Sequence, residues 1–461
     1  MPMTDRKALS VEEGDDSGAA SGLGLLTNAL QQWANTETSF AFDGRTYSGA
    51  EQSANEKRMD VCLETVEDLL KGLRTRSGRA TVRERIAAAF VEFAKPTLGL
   101  DDCHIALLLD NGFATMGGHL GRYARRFDAS ISSEDLFQAC RNAWVACGLQ
   151  SLFGHSMTVT PSIFAYSMLY PYSDNYLDDA EVDSAAKRSF SERFRNRLAG
   201  RDVPPANVRE EAIWELVGLI ESEYERADYP SVYRSLLAIH RSQEESIQLM
   251  DGNGFGRHRD ERRPEQSLDV TRLVFAKGGD SVLADAYLAA GRLTAAEARF
   301  AFDWGVLLQL GDDLQDVRED AAGGIRTLFS EAMGCEPLDE LTSRTFHFTQ
   351  RVMAQLEELE TAPAALKELI GQSSYSLLIR AAGAAREFYS RPYITRLETY
   401  SPFRFAFVDR RRELLARRQD LLEKLGEVFL ATEDDESLWS VSSRLSPGAL
   451  GLRRPTLPGL A

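Results

Sequence analysis

The chain has 461 residues, 43% hydrophobic and 27% charged, the balance of an ordinary globular protein with length for one large or two average domains. Lysine and arginine total 53 against 70 acids, a net charge of −17, which argues against the broad basic surfaces that bind nucleic-acid phosphates. The five cysteines (Cys62, Cys103, Cys140, Cys147 and Cys335) are odd in number, far apart and without a CxxC pair, so they read as reduced thiols of a cytoplasmic protein and not as a disulfide framework or zinc site.

In chain order, residues 1–20 (MPMTDRKALSVEEGDDSGAA) are polar and acidic. They predict a disordered segment without the apolar core of a signal peptide. From 21 to 431 the pattern is helical: RERIAAAFVEFAK, EEAIWELVGLIESEYE and RRRELLARRQDLLEKLGEVFL are rich in Ala, Leu, Glu and Arg at helical spacing. Neither a sustained alternating strand pattern nor an internal repeat is present. The breaks RDVPPANV and MDGNGFGRHRDERRPEQS read as loops, not domain linkers. Residues 432–461 carry Pro and Gly at short intervals and predict a loose tail. No stretch reaches the roughly 18 apolar residues of a membrane span. The expectation is an all-α protein, one large helical bundle.

Two clusters of acid stand out. YSDNYLDDAEVD follows the apolar run PSIFAYSMLY and holds Asp174, Asn175, Asp178, Asp179 and Asp183. Asp174 and Asp178 are i, i+4 and share a helical stripe, with Tyr170 one turn earlier. LLQLGDDLQDVRED follows the apolar ARFAFDWGV and places Asp312, Asp316 and Asp320 at i, i+4, i+8, within about 80° on a helix, with Gln309 and Asp313 beside them. Like charges at such neighbouring positions destabilise a helix. One DxxxD is common and means little, but two acidic clusters, each ending an apolar helix, suit a hard divalent cation. Mg2+ takes oxygen ligands, commonly one or two carboxylates with water and substrate phosphate.

A magnesium-diphosphate site also calls for protein cations. SVYRSLLAIHRSQEES offers Arg234 and Arg241 seven apart, with His240 beside them as a structural histidine. In VTRLVFAKGGDSVLADAYL, Val270, Leu273, Val274 and Lys277 follow i, i+3, i+4, i+7, so Lys277 lies on the apolar stripe, where a lysine wants a partner. Gly278 and Gly279 each weaken that helix by about 1 kcal/mol relative to Ala, which points to a kink or a close backbone approach. Arg326 in GGIRTLF and Arg391 with Tyr393 in EFYSRPYI are further candidates.

These residues resemble the class I isoprenoid synthases, with the nearest likeness to squalene and phytoene synthases. DNYLDD is similar to their first motif, DDxxDE. QLGDDLQDVREDA, Gln309 to Ala321, is similar without a gap to their second, QLTNILRDVxEDA. Asp312, Asp316 and Asp320 also resemble the terpene-cyclase metal triad, and KGGDSVLADAYLAAG resembles the glycine-bearing helix beside the chain-binding cavity. The likeness spans roughly Pro161 to Tyr393. It implies a large helical bundle around a central apolar cavity, with three Mg2+ ions held by Asp174, Asp178, Asp179, Asp312, Asp316 and Asp320. Lys277, Arg241, Arg326 and Arg234 would bind the substrate diphosphate. Asp174, Asp178, Asp312 and Asp316 would be catalytic in ionising an allylic isoprenyl diphosphate, and Phe164, Tyr170, Phe275 and Phe302 are candidates for the cavity wall. A lipid product would favour loose association with a membrane surface. Asn175 stands where the family has a second Asp, GGIRTLFS replaces the family's GRxYLP, and about 170 residues precede the first motif. Those departures leave a prenyltransferase that couples two chains and a terpene cyclase both open. The third reading is a non-catalytic helical scaffold whose acidic clusters are surface charge.

Overall fold

The computed structural model describes residues 22–40, 42–73, 78–110, 112–178, 182–251 and 264–430. The predicted disordered segment 1–20, the loose tail 432–461 and Asp179 lie outside the described residues, as does the side chain of Asp178. Among the described residues the chain is all-helical, as the periodicity predicts, and no strand occurs. Among the described residues no helix is long and apolar enough to cross a membrane.

In order the α-helices are α1 (Gly22–Ala34), α2 (Gly49–Gly72), α3 (Arg79–Leu98), α4 (Asp102–Ile105), α5 (Phe113–Phe127), α6 (Ser133–Leu152), α7 (Pro161–Leu169), α8 (Asn175–Asp178), α9 (Ser184–Leu198), α10 (Val208–Glu223), α11 (Pro230–Asp251), α12 (Pro264–Ala290), α13 (Ala295–Gln315), α14 (Val317–Gly323), α15 (Leu328–Ala332), α16 (Asp339–Glu357), α17 (Ala364–Ala384), α18 (Arg391–Glu398), α19 (Phe405–Ala416) and α20 (Gln419–Leu430). Several starts are written in local chemistry. Ser48 with Glu51 and Thr294 with Glu297 form reciprocal capping boxes at α2 and α13. Thr160 caps α7, where Pro161 at the first helical position forgoes an N–H that would have had no partner. Gly291, at φ 73°, ends α12 by turning left-handed under the rings of Tyr224 and Tyr229.

The core is built around α12 and α13. From Phe300 to Leu307 every residue of α13 is buried, so the helix is apolar on all sides and belongs at the centre. The glycine pair of α12 meets it there. A Cβ on Gly278 would lie 2.6 Å from Gly305 O, and one on Gly305 would lie 2.2 Å from Gly278 O. A Cβ on Gly279 would strike the Phe302 ring at 2.4 Å. The glycines thus permit a close crossing of two backbones, and α12 runs through them unbroken. Phe164, Phe275 and Phe302 are fully buried; Phe275 packs edge-on to Trp33 of α1, and Phe164 packs against Tyr123 and Phe127. Burying such a ring contributes about 1.5–3 kcal/mol. Much of the long N-terminal region belongs to this core, since Leu25, Trp33, Leu120, Phe127 and Leu149 of α1, α5 and α6 are buried in it, and α2 and α3 lie at its edge. The α2–α3 pair forms two small satellite clusters, Phe93, Ala94 and Leu100 with Phe403 and Phe407, and Leu69, Leu70 and Ile86 with Val428.

Both acidic clusters depart from the regular helix that their spacing predicts. Between α7 and α8, residues Tyr170–Asp174 form a π-helical turn. Pro171 sits in it, and a proline cannot donate the N–H of a regular α-turn. Tyr170 and Asp174 nevertheless both stay close enough to Tyr166 to act on it electrostatically. At the second cluster α13 stops at Gln315, and Asp316, at φ −98° and ψ 13°, joins it to α14. The stripe is bent but not dispersed: Asp316 N–H donates to Asp312 O at 2.9 Å and Asp320 N–H to Asp316 O at 2.8 Å.

Candidate functional site

Helix register decides which side chains share an end of the bundle. Gly278 lies abreast of Gly305 and Gln309, and Gly279 abreast of Phe302, so α12 and α13 are antiparallel and Lys277 is level with the start of the second cluster. The Lys277 charge acts on Asp312, Asp313 and Asp320, lowering the pKa of each against the larger effect of burial. On the other flank, Ser242 Oγ donates to Asp280 Oδ2 at 3.0 Å, one turn beyond Lys277. The next residue, Gln243, donates from Nε2 to Asp174 Oδ2 at 2.9 Å. Antiparallel packing of α7 on α12 agrees: Ser162 donates to Leu288 O at 3.4 Å and Tyr166 to Ser281 O at 3.5 Å, so Asp174, further along, comes level with Lys277. Asp174 and the second cluster therefore belong to the same end of the bundle, on opposite flanks of α12.

The second cluster is electrostatically crowded. Asp313 is buried, and its pKa is pushed up to about 7 by burial, with Asp320 and Asp312 adding repulsion; Gln309 Nε2 donates to its Oδ1 at 2.7 Å. Its Oδ2 is buried without a hydrogen-bond partner. Asp320 is likewise pushed up to about 7, by burial and then by Asp316. Asp312 rises to about 6 through burial, opposed by Arg141 of α6 and reinforced by Asp316. Asp316 is raised by burial, with Glu319 adding to it and Arg412 and Arg141 opposing. Asp312 is open to solvent although desolvation dominates its titration. Both hold for a group that water reaches from one side only. Arg380 of α17 is in the same position: exposed, yet lowered in pKa by desolvation and by Arg412.

Several proposed diphosphate ligands lie elsewhere. Arg234 is exposed near the start of α11 and donates to Ser231 Oγ at 2.8 Å, about two and a half turns from Gln243. Arg326 pairs with Glu331 at 2.7 Å. Arg241 acts on Asp280, not on the second cluster. Arg391 is exposed and Tyr393 is buried on Ser343. His240 is buried against Ser191 O at 3.0 Å, a structural role. Among the described residues, Lys277, Arg141 and Arg412 act on the second cluster. Arg141, Gln243 and Asp280 escape a reading of the sequence. A lone arginine in the Ala- and Cys-rich CRNAWVACG is a signal for the first, and the i+3 spacing of Asp280 from Lys277 for the last; Gln243 has none.

The donor set is carboxylate oxygen throughout, without imidazole or thiolate, which suits Mg2+ and not zinc or copper. The orphaned Asp313 Oδ2 fits a cation-binding wall. Among the described residues no three acid, His or Cys side chains converge, as placed, to enclose an ion alone. Mg2+ does not require that, since water and phosphate commonly complete its shell. No family model, curated protein or solved structure matches the chain.

Proposed function

We propose that the acidic end of the bundle binds magnesium and the diphosphate of an allylic isoprenyl substrate, and that the protein is a class I isoprenoid synthase of the squalene/phytoene type, acting as a prenyltransferase. One observation carries the reading: four aspartates crowd together with raised pKa values, and cations from three separate helices are turned onto them. A solubilising surface has no reason to collect carboxylates at the end of a core helix against its own repulsion. Asp312, Asp316 and Asp320, with Asp174 from the other flank, would hold Mg2+; Asp178 and Asp179 follow from the motif alone. Bound magnesium supplies Lewis-acid stabilisation of a leaving pyrophosphate. Lys277, Arg141 and Arg412 would neutralise the phosphate oxygens left uncovered. Gln243 and Ser173, which donate to the two oxygens of Asp174 at 2.9 Å each, hold that carboxylate in orientation.

An apolar cavity for the isoprenyl chain is part of this proposal, and Tyr170, half-buried beside Asp174, is its best-placed wall candidate. Phe164, Phe275 and Phe302 are already occupied as core. The terpene-cyclase reading keeps the same site and differs in product. Incubation with geranyl, farnesyl and geranylgeranyl diphosphates plus magnesium, followed by mass spectrometry, separates them: two chains joined into a longer one supports the prenyltransferase, and a cyclic hydrocarbon or alcohol the cyclase. If pyrophosphate with magnesium also leaves the melting temperature unmoved and no substrate turns over, the site reading fails and the scaffold reading stands.

A further inference from the structure

Residues 410–418 carry five arginines (Arg410, Arg411, Arg412, Arg417 and Arg418) against one acid, Glu413, in a chain of net charge −17. The helix that bears most of them, α19, is anchored from beneath. Phe405 and Phe407 are buried, Arg386 pairs with Asp409, and Arg411 pairs with Asp60 of α2 at 2.5 Å while Arg418 pairs with Glu67. Those partners are seven residues apart on both segments, so the stretch from Arg411 in α19 to Arg418 just beyond it runs parallel to α2, and those two arginines are turned onto α2. The neighbouring stripe of Arg410, Leu414 and Arg417 is exposed. Leu414 is 41% exposed and Leu415 39%. Across the seam, Val61 of α2 is 64% exposed, with Lys57 and Arg58 exposed one turn earlier. Glu64 and Glu413 are the acids among them, outnumbered by the exposed cations. Leu414 and Leu415 of α19 are thus large apolar side chains open to water among exposed arginines.

We propose that this face docks the protein on an anionic lipid surface, with the arginines on headgroup phosphates and Leu414 and Leu415 in the apolar boundary below them. A cationic helix with exposed leucines is the form that interfacial binding takes, and planar guanidinium matches phosphate in two-point contact. A second copy of this face is a poor partner, because it would set arginine against arginine. Nucleic acid would leave the leucines without a partner and meet the repulsion of the remaining acidic surface. The face also adjoins the acidic end of the bundle, since the Arg412 charge acts on Asp316. Docking would therefore bring that end to the interface where amphiphilic molecules reside, although the inference does not rest on the proposed reaction.

The test is flotation of the full chain with vesicles of phosphatidylcholine alone and of phosphatidylcholine mixed with phosphatidylserine. Binding is expected on the mixed vesicles only, and is released by salt. The double variant Arg410→Gln/Arg417→Gln should weaken it about 25-fold, at about fivefold per arginine. Leu414→Gln/Leu415→Gln should weaken it by about tenfold, with the melting temperature of both variants unchanged. The salt titration of the natural chain reads the same interaction independently of any variant. Equal binding to both vesicle types, or unchanged binding by both variants, overturns the proposal. So does concentration-dependent dimerisation that Leu414→Gln/Leu415→Gln removes without any flotation, which would assign the face to a second copy. Amide protection of α19 in lipid-free protein that vesicles leave unaltered would assign it to residues 431–461 of the chain itself.

Discussion

The two acidic clusters occupy the same end of the bundle and are held in opposite ways. In the first, Asp174 accepts from Ser173 and Gln243, neutral donors that satisfy its charge without competing for it. In the second, burial raises the pKa values of Asp312, Asp313, Asp316 and Asp320, neighbouring carboxylates add to it, and Asp313 keeps one oxygen without a donor. Asp174 of the first cluster is orientated; the second cluster is strained by burial and by its own charge. A carboxylate that is only structural resembles the first arrangement. A set of carboxylates whose repulsion is tolerated at the end of a core helix resembles a site whose counter-charge comes from a ligand.

The largest effect is expected on turnover. Asp316→Asn removes one charge from the crowded cluster at a position where its side chain caps neither α13 nor α14. Conversion of an allylic diphosphate should fall by more than about a hundredfold, while the melting temperature without magnesium stays level or rises. Near-normal turnover with a lowered melting temperature would show that the second cluster is structural as well.

Titration is the next. Asp313 and Asp320, pushed up to about 7, stay protonated in the folded chain at pH values where the unfolded chain, with carboxyls near 3.8, has already released its protons. Folding then takes up protons, so stability falls as pH rises from about 4 to about 7 and levels off above it. Magnesium should reverse this, binding more tightly as the same carboxyls ionise. Melting curves across that range, with and without magnesium, check both signs; a metal-free stability that rises toward neutrality would contradict the crowding.

Neutralising one aspartate in each cluster separates them by sign. Asp174→Asn keeps the shape but weakens charge-assisted bonds from Ser173 and Gln243, and should cost about 1 kcal/mol. Asp312→Asn relieves repulsion and should stabilise the metal-free protein. Denaturant unfolding of the pair measures it, and a loss of equal size in both would erase the distinction.

Lys277→Met is expected to have the smallest effect on the fold, because stem volume is kept and a half-buried charge is removed. Its effect belongs to the ligand: the melting shift produced by pyrophosphate with magnesium should shrink. An unchanged shift would leave Lys277 a counter-charge for the aspartates alone.

The all-α class and most helix starts are settled by the sequence itself, because they depend on neighbours within a turn. Ala- and Leu-rich periodicity favours helix locally, and the Ser48–Glu51 and Thr294–Glu297 boxes close three residues apart. The spacing of Asp312, Asp316 and Asp320 brings those carboxylates together for the same reason. Lys277 was legible as a charge on an apolar stripe, and the Gly278–Gly279 pair as a place where backbone needs room. Which of the two it served, a kink or a close approach, depended on Gly305 and Phe302 of the facing helix. The π-turn at Tyr170–Asp174 and the bend at Asp316 escape simple periodicity, because each exchanges a regular turn for packing at the bundle end. The partners of the two clusters were beyond the sequence altogether. Gln243, Arg141 and Arg412 come from α11, α6 and α19, and Arg234 and Arg326, no less plausible as residues, go elsewhere. Helix identity is a local property; which long side chains meet is decided by the register in which helices pack, and that register depends on close fits such as Gly278 against Gly305, which only the assembled core selects.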